Sequence, residues 1–278
     1  MIPYAEWRVS RSRACPRAAR LMPMTHAELH LSVVIPVCNE EESIPPLAAD
    51  IATAFTGVRF PWEAVWVDDG STDGTAARIA ALPAPHRLVR LHRNRGQSAA
   101  LMAGFAAARG TWIGTLDGDG QNDPRDLLRQ LEHASRYGFD MVNGIRVDRH
   151  DSVVRRVASR IANTARNWIV GDRVADVGCS TRVLRRVAAL AVPYFHGMHR
   201  FLPTLVAMRG FTVTEIPVAH RARQAGRSKY GIHNRLWTGV GDLFGVRWLA
   251  SRQRVWKAVE GVAESHEDGD AVSRRGEP

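Results

Sequence analysis

The chain has 278 residues, and 45% of them are hydrophobic, which suffices for a large core in one domain with tails. Its 38 Lys and Arg residues exceed its 28 Asp and Glu residues, and the net charge of +10 favours an anionic partner: nucleic acid, a membrane surface or a phosphorylated substrate.

The chain has three cysteines, Cys15, Cys38 and Cys179, which have neither C-x-x-C nor Cys/His metal spacing. Their spacing argues against a disulfide framework or a zinc site and fits a reduced compartment. No uncharged apolar run approaches the ~18 residues of a transmembrane helix, so we expect any membrane contact to be peripheral.

The two ends of the chain differ in composition from the middle. Residues 1–30 carry several arginines and lack the continuous apolar core of a secretory signal, so we expect a disordered basic tail. Translation from Met22 or Met24 is an open alternative that would remove most of this tail. Residues 259–278 are polar, and we expect them to be disordered as well.

Short apolar runs alternate with helical patterns in the first half of the chain. We predict strands at LSVVIPV, WEAVWV, RLVRLH, TWIGTL and FDMVNGIR, and helices within 44–55, after Thr75, over 97–109 and over 124–138. Asp123 and Pro124 supply the N-cap and first-turn proline of the last helix, and Gly138 ends it. Alternation of this kind predicts a mostly parallel sheet covered by helices.

The pattern changes after residue 150. We predict helical stretches over 152–170 and 181–190, followed by a strand in FTVTEIPVAH. A domain over 31–235 then gives way to an amphipathic helix over 236–258, in which Trp237, Phe244 and Trp248 recur at helical spacing near several arginines. Whether this helix lies at a membrane interface or against the core is left open by the pattern.

Carboxylates follow two of the predicted strands. Asp68 and Asp69 come after WEAVWV, and Asp117 and Asp119 come after TWIGTL. Because ligands bind outside the carboxyl ends of strands in open α/β sheets, both pairs are expected to face one cleft. Two carboxylates with substrate phosphates are a usual Mg²⁺ arrangement, although Asp-Gly pairs also form ordinary turns. The pattern favours metal-dependent binding of a nucleotide diphosphate.

An ordered set of motifs runs along the chain over about residues 31–250: VVIPVCNEEESI, VDDGSTDGT, LHRNRGQSAALMAG, LDGDGQNDP, DVGCSTRVLRR, GMHRFLP and RARQAGRSKYGIHNR. This set resembles glycosyltransferase family 2, in its dolichol-phosphate mannose synthase-like, polyprenyl-phosphate branch. The resemblance implies an α/β fold, a GT-A type Rossmann-like three-layer sandwich with a mostly parallel sheet. It also implies inverting transfer of a sugar from a nucleotide-diphosphate sugar to dolichyl or undecaprenyl phosphate, giving a lipid-phosphate-linked monosaccharide.

The same resemblance assigns the donor side of the site. The donor-binding residues it implies are Pro36, Cys38, Glu40, Asp68, Asp117 and Asp119. Asp117, Asp119 and Gln121 match the family's D-x-D-x-Q motif and would bind Mg²⁺ or Mn²⁺. Cys38 stands where an aromatic residue is commoner, and glycines at 118 and 120 replace alanine and leucine.

The acceptor side rests on the resemblance as well. The residues expected to bind the acceptor phosphate are Arg146, Arg155, Ser159, Arg223, Ser228 and Lys229, and those expected to act in catalysis are Asp119, Arg223 and Asp176. Asp176 either orients substrate or pairs with Arg182. A separate catalytic base is not required, since a phosphate monoester loses its second proton with a pKa of about 6. We interpret His196, His199 and His233 as structural or substrate-positioning residues.

The implied partners are a GDP- or UDP-linked sugar, polyprenyl phosphate and a membrane surface, at the cytoplasmic face of the membrane, with a membrane-embedded partner as an open alternative. A transferase of the same fold that uses a soluble saccharide or protein acceptor is the nearest other function. A dinucleotide oxidoreductase would need G-x-G-x-x-G where this chain has IPVCNEEES. We expect no nucleic-acid partner, because no reading motif is present and the acidic strand ends would repel phosphate in the absence of metal.

Overall fold

A computed structural model describes residues 30–146, 171, 174–221 and 233–252, with the backbone alone at 233–240. Seven strands form one sheet in the order β3-β2-β1-β4-β6-β5-β7. They are β1 (Leu31–Val37), β2 (Trp62–Asp68), β3 (His86–Arg90), β4 (Trp112–Thr115), β5 (Met141–Arg146), β6 (Arg182–Arg185) and β7 (Val213–Val218). The five strands predicted in the first half of the chain are therefore confirmed.

Helices connect and cover these strands. They are α1 (Ile44–Ala54), α2 (Thr75–Ala80), α3 (Gln97–Ala107), α4 (Arg125–Tyr137), α5 (Arg186–Leu190), α6 (Leu202–Met208) and α7 (His233–Arg252), with a 3₁₀ turn at Met198–Phe201. At α4 the end is as predicted, but the helix begins at Arg125, so Pro124 and not Asp123 stands at the N-cap position. The Asp123 carboxylate accepts a hydrogen bond from the Arg125 N–H at 3.0 Å, and Gly138 ends the helix in the left-handed conformation with φ 73°.

The sheet is mostly parallel, with one antiparallel strand in its middle. β1 pairs in parallel with both β2 and β4, whereas β6 runs antiparallel between β4 and β5. The helix predicted over 181–190 is thus partly wrong, because residues 182–185 form β6 and only 186–190 are helical. Val183 and Leu184 are fully buried, and in so short an apolar run burial inside a sheet overrides local helical periodicity. The helix predicted over 152–170 lies outside the described residues.

Helices cover both faces of the sheet, and two apolar clusters hold the layers together. One cluster joins α1 and α4 to one face, and the other joins α3, α5 and α6 to the opposite face. The predicted three-layer α/β sandwich is confirmed. Each large side chain buried in these clusters, such as Ile35 or Phe105, contributes about 1.5–3 kcal/mol. α3 comes especially close to the sheet, since a Cβ at Gly104 would meet the side chains of Val34 and Val67.

The last described helix, α7, has one buried and one exposed face in its second half. Val246 is 1% exposed and belongs to the second apolar cluster, whereas Phe244 and Trp248 are 60% and 62% exposed. The helix therefore packs on the core and still presents aromatic side chains to solvent. Among the residues that the structure describes, none of the helices has the length and hydropathy needed to cross a bilayer.

Candidate active site

Loops after β1, β2 and β3 meet at the carboxyl edge of the sheet and are held together by short hydrogen bonds. Asn39, with φ 51°, donates its N–H to Ser71 Oγ at 2.8 Å, and the Glu40 N–H donates to Thr75 Oγ1 at 2.8 Å. These contacts join the loop after β1 to the loop after β2. The predicted cleft edge is therefore a preorganised surface rather than a set of independent loops.

The first acidic pair supports this surface. Asp69 accepts hydrogen bonds from the N–H groups of Arg95 at 2.7 Å and Gly96 at 2.8 Å, at the start of α3. Asp68 is fully buried; its Oδ1 accepts the Ser71 N–H at 2.9 Å, and its Oδ2 lies 3.1 Å from Arg90 Nε. Sequence reasoning grouped both residues with the ligand-facing acids. The structure shows both carboxylates engaged in loop architecture.

The other predicted donor residues lie at the exit of β1. Pro36, Cys38 and Glu40 are half-buried. Cys38 Sγ lies 3.1 Å from Asn94 Nδ2, which donates to it, and Glu40 Oε2 accepts a hydrogen bond from Ser43 Oγ at 3.2 Å. The structure thus brings the β1 exit next to the loop after β3, through a contact that the sequence did not indicate.

The second acidic pair, Asp117 and Asp119, lies in the D-x-D-x-Q loop (residues 117–121) at the end of β4. Gln97, the first residue of α3, donates from Nε2 to Asp117 Oδ1 at 2.9 Å. The Gln121 N–H donates to Asp119 Oδ1 at 3.2 Å. Gln97 therefore orients one of the two predicted metal ligands, and it was missed from sequence because nothing marks it within its motif.

The electrostatics of this loop suit a cation. Burial raises the pKa of Asp117, and the neighbouring Asp119 carboxylate raises it further, while Ser180, Arg182 and Arg146 oppose the increase. A divalent cation would offset both the desolvation and the repulsion, so the two carboxylates fit Mg²⁺ or Mn²⁺. Within the described ranges no group of three His, Cys, Asp or Glu side chains is arranged to hold a metal.

The side chain of Gln121, the third predicted metal ligand, forms a hydrogen bond to the backbone of the chain after β7. Its Nε2 donates to the Arg221 carbonyl at 3.4 Å, and this joins the D-x-D-x-Q loop to the chain that follows β7. Asn122, next in sequence, accepts the Asp117 N–H at 3.2 Å and donates to Thr181 Oγ1 at 2.8 Å. The D-x-D-x-Q loop is therefore held by the chain after β7 through Gln121 and by the segment before β6 through Asn122.

A buried arginine lies close to the acidic loop. Arg182, on β6, is 4% exposed and donates to Asn143 Oδ1 at 2.9 Å, to the His199 carbonyl at 2.9 Å and to the Val177 carbonyl at 3.0 Å. Burial lowers the pKa of Arg182, and nearby negative groups, Asp117 among them, offset this lowering only in part. The guanidinium thus places a positive charge behind the acidic pair.

Asp176 forms an ion pair with Arg146, whereas the sequence suggested that it either orients substrate or pairs with Arg182. Arg146 Nε donates to Oδ2 at 2.8 Å and Nη2 donates to Oδ1 at 2.9 Å, a bidentate ion pair. Burial by itself would lower the pKa of Arg146, but the hydrogen bond and charge of Asp176 outweigh it and raise the pKa. The predicted acceptor residue Arg146 and the predicted catalytic residue Asp176 are therefore brought together.

Two further polar residues support this pair and were missed from sequence. Asn143 Nδ2 donates to Glu215 Oε1 at 2.8 Å, and Glu215 Oε2 accepts the Ala175 N–H at 2.7 Å. Burial raises the pKa of Glu215. Glu215 thus holds the segment before Asp176 against β5 and β7. The alternating pattern of β7 gives no signal for this role.

The histidines of the HGMHRF segment lie beside the start of α3. The His199 ring Nδ1 lies 2.8 Å from Ser98 Oγ, which also accepts the Gly197 N–H at 3.0 Å. His196 faces Gly96, since a Cβ there would lie 3.3 Å from its ring. These contacts agree with a structural or positioning role. The side chain of His233 lies outside the described residues, as do Arg155, Ser159, Arg223, Ser228 and Lys229.

The three-layer sandwich, with its acidic loop at the end of β4, is the GT-A type architecture expected of a glycosyltransferase. The model of the family described as "Glycosyl transferase family 2" matches residues 32–191, and the chain belongs to that family.

Similar proteins include a dodecaprenyl-phosphate galacturonate synthase of Rhizobium johnstonii, 39% identical over 228 residues, which cover 80% of this chain and 67% of that protein. An undecaprenyl-phosphate 4-deoxy-4-formamido-L-arabinose transferase of Pectobacterium carotovorum subsp. carotovorum is 40% identical over 72% of this chain and 62% of its own length. The match thus spans about two thirds or less of these relatives.

Solved structures agree on the fold. A glucosyl-3-phosphoglycerate synthase from Mycobacterium tuberculosis, in complex with phosphoglyceric acid, aligns with a TM-score of 0.60 at 19% identity, over 80% of each chain. The same enzyme in complex with Mn²⁺, UDP and glucosyl-3-phosphoglycerate aligns with a TM-score of 0.58 over 83% of this chain and 82% of that one. At this identity the likeness concerns the fold alone.

Proposed function

We propose that the chain transfers a sugar from a GDP- or UDP-linked donor to a polyprenyl phosphate, with inversion at the anomeric carbon. The observation that carries the proposal is the arrangement of Asp117 and Asp119 beside Arg146 and Arg182, within a family 2 chain. Acids suited to a cation lie close to two guanidinium groups, whose positive charges favour phosphorylated substrates electrostatically. The similarity to a dodecaprenyl-phosphate galacturonate synthase and an undecaprenyl-phosphate 4-deoxy-4-formamido-L-arabinose transferase supports this acceptor class.

Asp117 and Asp119 would hold Mg²⁺ or Mn²⁺, which neutralises charge on the departing nucleoside diphosphate when bound. Gln97 keeps Asp117 in position for this task through its 2.9 Å hydrogen bond. An oxygen of the acceptor phosphate forms a bond to the anomeric carbon as the bond from that carbon to the diphosphate breaks. The chain contributes mainly orientation and electrostatic stabilisation, because the acceptor oxygen is already nucleophilic at neutral pH.

Arg146 links this chemistry to the acceptor side. Its bidentate contact with Asp176 fixes the guanidinium plane at the end of β5. The chain continues from there into residues 147–170, which include the proposed acceptor residues Arg155 and Ser159. Together with Arg223, Ser228 and Lys229, these residues would bind the lipid phosphate.

The membrane contact is proposed for the exposed face of α7. Phe244 and Trp248 are four residues apart on that face, and Arg247 and Arg252 are exposed nearby. Aromatic side chains next to arginines suit the anionic cytoplasmic leaflet.

We expect liposomes containing phosphatidylglycerol to retain the protein at low salt and the double variant Phe244→Ala, Trp248→Ala to bind weakly. Tyr137→Ala, which removes an aromatic side chain that is 60% exposed on α4, is the control. Binding equal to that of the wild type would contradict this proposal.

The enzymatic test combines the full-length protein, Mn²⁺ or Mg²⁺ and undecaprenyl phosphate in detergent with a panel of GDP- and UDP-sugars. We expect metal-dependent appearance of one sugar in the organic phase, its loss in Asp119→Ala, and its retention in Asp140→Ala. Asp140 serves as the matched control because it pairs with Arg185 at 3.1 Å, at the opposite edge of the sheet. Metal-dependent donor consumption with a soluble acceptor and no lipid product would support the alternative transferase instead.

A further inference from the structure

The first turn of α3 is attached to the HGMHRF segment (residues 196–201), which comes much later in the chain. Ser98 is 1% exposed, and its Oγ lies 2.8 Å from His199 Nδ1 and accepts the Gly197 N–H at 3.0 Å. These contacts join residues that are 101 and 99 positions apart. Ser98 therefore fixes the start of α3 in relation to the HGMHRF segment.

The HGMHRF segment is itself packed against the rest of the fold. Met198 and Phe201 are buried and belong to the second apolar cluster. Gly197 has a φ of 94°, and a Cβ there would lie 2.6 Å from Asp242 Oδ2 on α7. The segment thus lies between the core and α7, and it gives α3 a fixed support.

Gln97 depends on this support because its own side chain is exposed. Its Nε2 donates to Asp117 Oδ1 at 2.9 Å, yet little packing restricts the rotamers of an exposed glutamine. The hydrogen bond therefore depends on where the backbone of the first turn lies. Asp69 binds the N–H groups of the two residues before Gln97, and Ser98 holds the residue after it.

His199 has a second connection to the same carboxylate. Its carbonyl accepts a hydrogen bond from Arg182 Nη1 at 2.9 Å, and the positive charge of Arg182 favours the ionised form of Asp117. His199 therefore joins two elements that act on Asp117: α3 through its ring and β6 through its carbonyl.

We propose that Ser98 and His199 are positioning residues for the metal site, which act through Gln97. The inference rests on the proposed function, in which Asp117 and Asp119 hold Mg²⁺ or Mn²⁺. Neither Ser98 nor His199 has to touch the cation or a substrate. A group that hydrogen-bonds a metal ligand sets the orientation of that ligand, and its loss lowers metal affinity by roughly tenfold to a hundredfold.

The test titrates the full-length protein with Mn²⁺ and follows the electron paramagnetic resonance signal of the unbound ion. We expect the dissociation constant to rise about tenfold or more in Gln97→Ala, and by roughly threefold to tenfold in Ser98→Ala and His199→Ala. His199→Asn should recover most of the affinity, because an amide offers a hydrogen-bonding group near the position of Nδ1. Combining His199→Ala with Gln97→Ala should add little, since both residues act along one route.

The transfer assay gives a second measurement of the same effect. The activity that His199→Ala loses at low Mn²⁺ should return as the Mn²⁺ concentration is raised, because mass action compensates for a weakened but intact site. Activity that is lost through misfolding would not return in this way.

The matched control is Ser32→Ala, which removes another buried serine at the amino end of β1, on the opposite edge of the sheet. Ser32 Oγ donates to Glu63 Oε1 at 2.7 Å and accepts the Gly110 N–H at 2.8 Å. Ser32→Ala should lower the unfolding temperature and leave the affinity for Mn²⁺ unchanged.

Wild-type affinity for Mn²⁺ in both Ser98→Ala and His199→Ala would overturn the positioning role. An equal loss of affinity in Ser32→Ala would show a general effect of stability and would also overturn it. A wild type that binds no Mn²⁺ would overturn the metal site and this inference with it. If the variants weaken Mn²⁺ binding as expected but the wild type makes no lipid product, the positioning role is supported and only the proposed transfer to polyprenyl phosphate is overturned.

Discussion

Arg146 and Asp176 meet through two parallel hydrogen bonds of 2.8 and 2.9 Å, although 30 residues separate them in the chain. The pair joins the end of β5 to the loop that precedes β6. Asp176 is 6% exposed, and Glu215 holds the same loop through the Ala175 N–H. The position of Arg146 therefore depends on a network, and loss of one member should affect both stability and acceptor binding.

Replacing Asp176 by Asn tests this dependence. The substitution keeps the shape but leaves the Arg146 guanidinium without its carboxylate, so we expect the free energy of unfolding to fall by about 2–3 kcal/mol. Urea denaturation measures this loss, and the KM for polyprenyl phosphate should rise. Asp140→Asn, in a more exposed pair with Arg185, should lose less than about 1 kcal/mol. Equal losses in the two variants would contradict the role of the network.

Replacing Asp117 or Asp119 should lower the catalytic activity, and replacing Asp117 should do so without lowering the stability of the metal-free protein. Either Asp→Asn substitution removes a proposed metal ligand, and we expect turnover to fall at least about 10²–10³-fold. The raised pKa of Asp117 means that its charge costs folding free energy at neutral pH, so Asp117→Asn without metal should be as stable as the wild type or more so.

Transfer assays and thermal unfolding with and without Mn²⁺ separate these two effects. Wild-type protein should gain thermal stability when Mn²⁺ is added, and both variants should lose this gain. A metal-dependent stability gain that survives in Asp117→Asn would place the cation elsewhere.

Gly70 is a position where the backbone permits no side chain. Its φ is 69°, and a Cβ there would lie 2.5 Å from the backbone nitrogen of Asn94. Gly70→Ala should therefore destabilise the protein by about 2 kcal/mol or more and weaken donor binding, because the loops after β2 and β3 must separate. Gly245→Ala is the control, since its Cβ would meet open space within α7, and we expect it to gain up to about 1 kcal/mol. Chemical denaturation of the two variants makes the comparison.

Acidification should destabilise the fold through its partly buried histidines. Burial lowers the pKa values of His30, His86 and His133 below their usual value of 6.5. Below pH 6.5 these histidines are therefore more protonated in the unfolded chain than in the folded chain. Their contribution to the free energy of unfolding is complete above pH 6.5 and is lost as the pH falls. At His86 the Nδ1 accepts a hydrogen bond from Trp66 Nε1 at 3.0 Å, which requires an unprotonated nitrogen.

His86→Gln keeps an acceptor for Trp66 without the titration. The difference in unfolding free energy between pH 7.5 and 5.5 should be smaller in this variant than in the wild type, measured by urea denaturation. An equal pH dependence in the two proteins would show that His86 does not contribute to the acid sensitivity.

Residues 31–146 could be assigned from sequence because strand and helix patterns alternate there with clear turn residues, and each element matched its prediction to within a few residues. β6 could not, because a four-residue strand inside a sheet has no periodicity of its own. The short helix α6 and the 3₁₀ turn before it were also missed, since tertiary packing stabilises helices of that length more than local propensity does.

The sequence by itself determined that carboxylates lie at the carboxyl ends of β2 and β4, because strand-forming and turn-forming residues act locally and both acidic pairs lie where one type gives way to the other. Only the tertiary structure decided what each acid does. Asp69 is bound by backbone N–H groups 26 and 27 residues away, and Asp176 is paired with Arg146, 30 residues away. Such pairings depend on which strands lie side by side, and that choice is made by burial of apolar surface over the whole sheet.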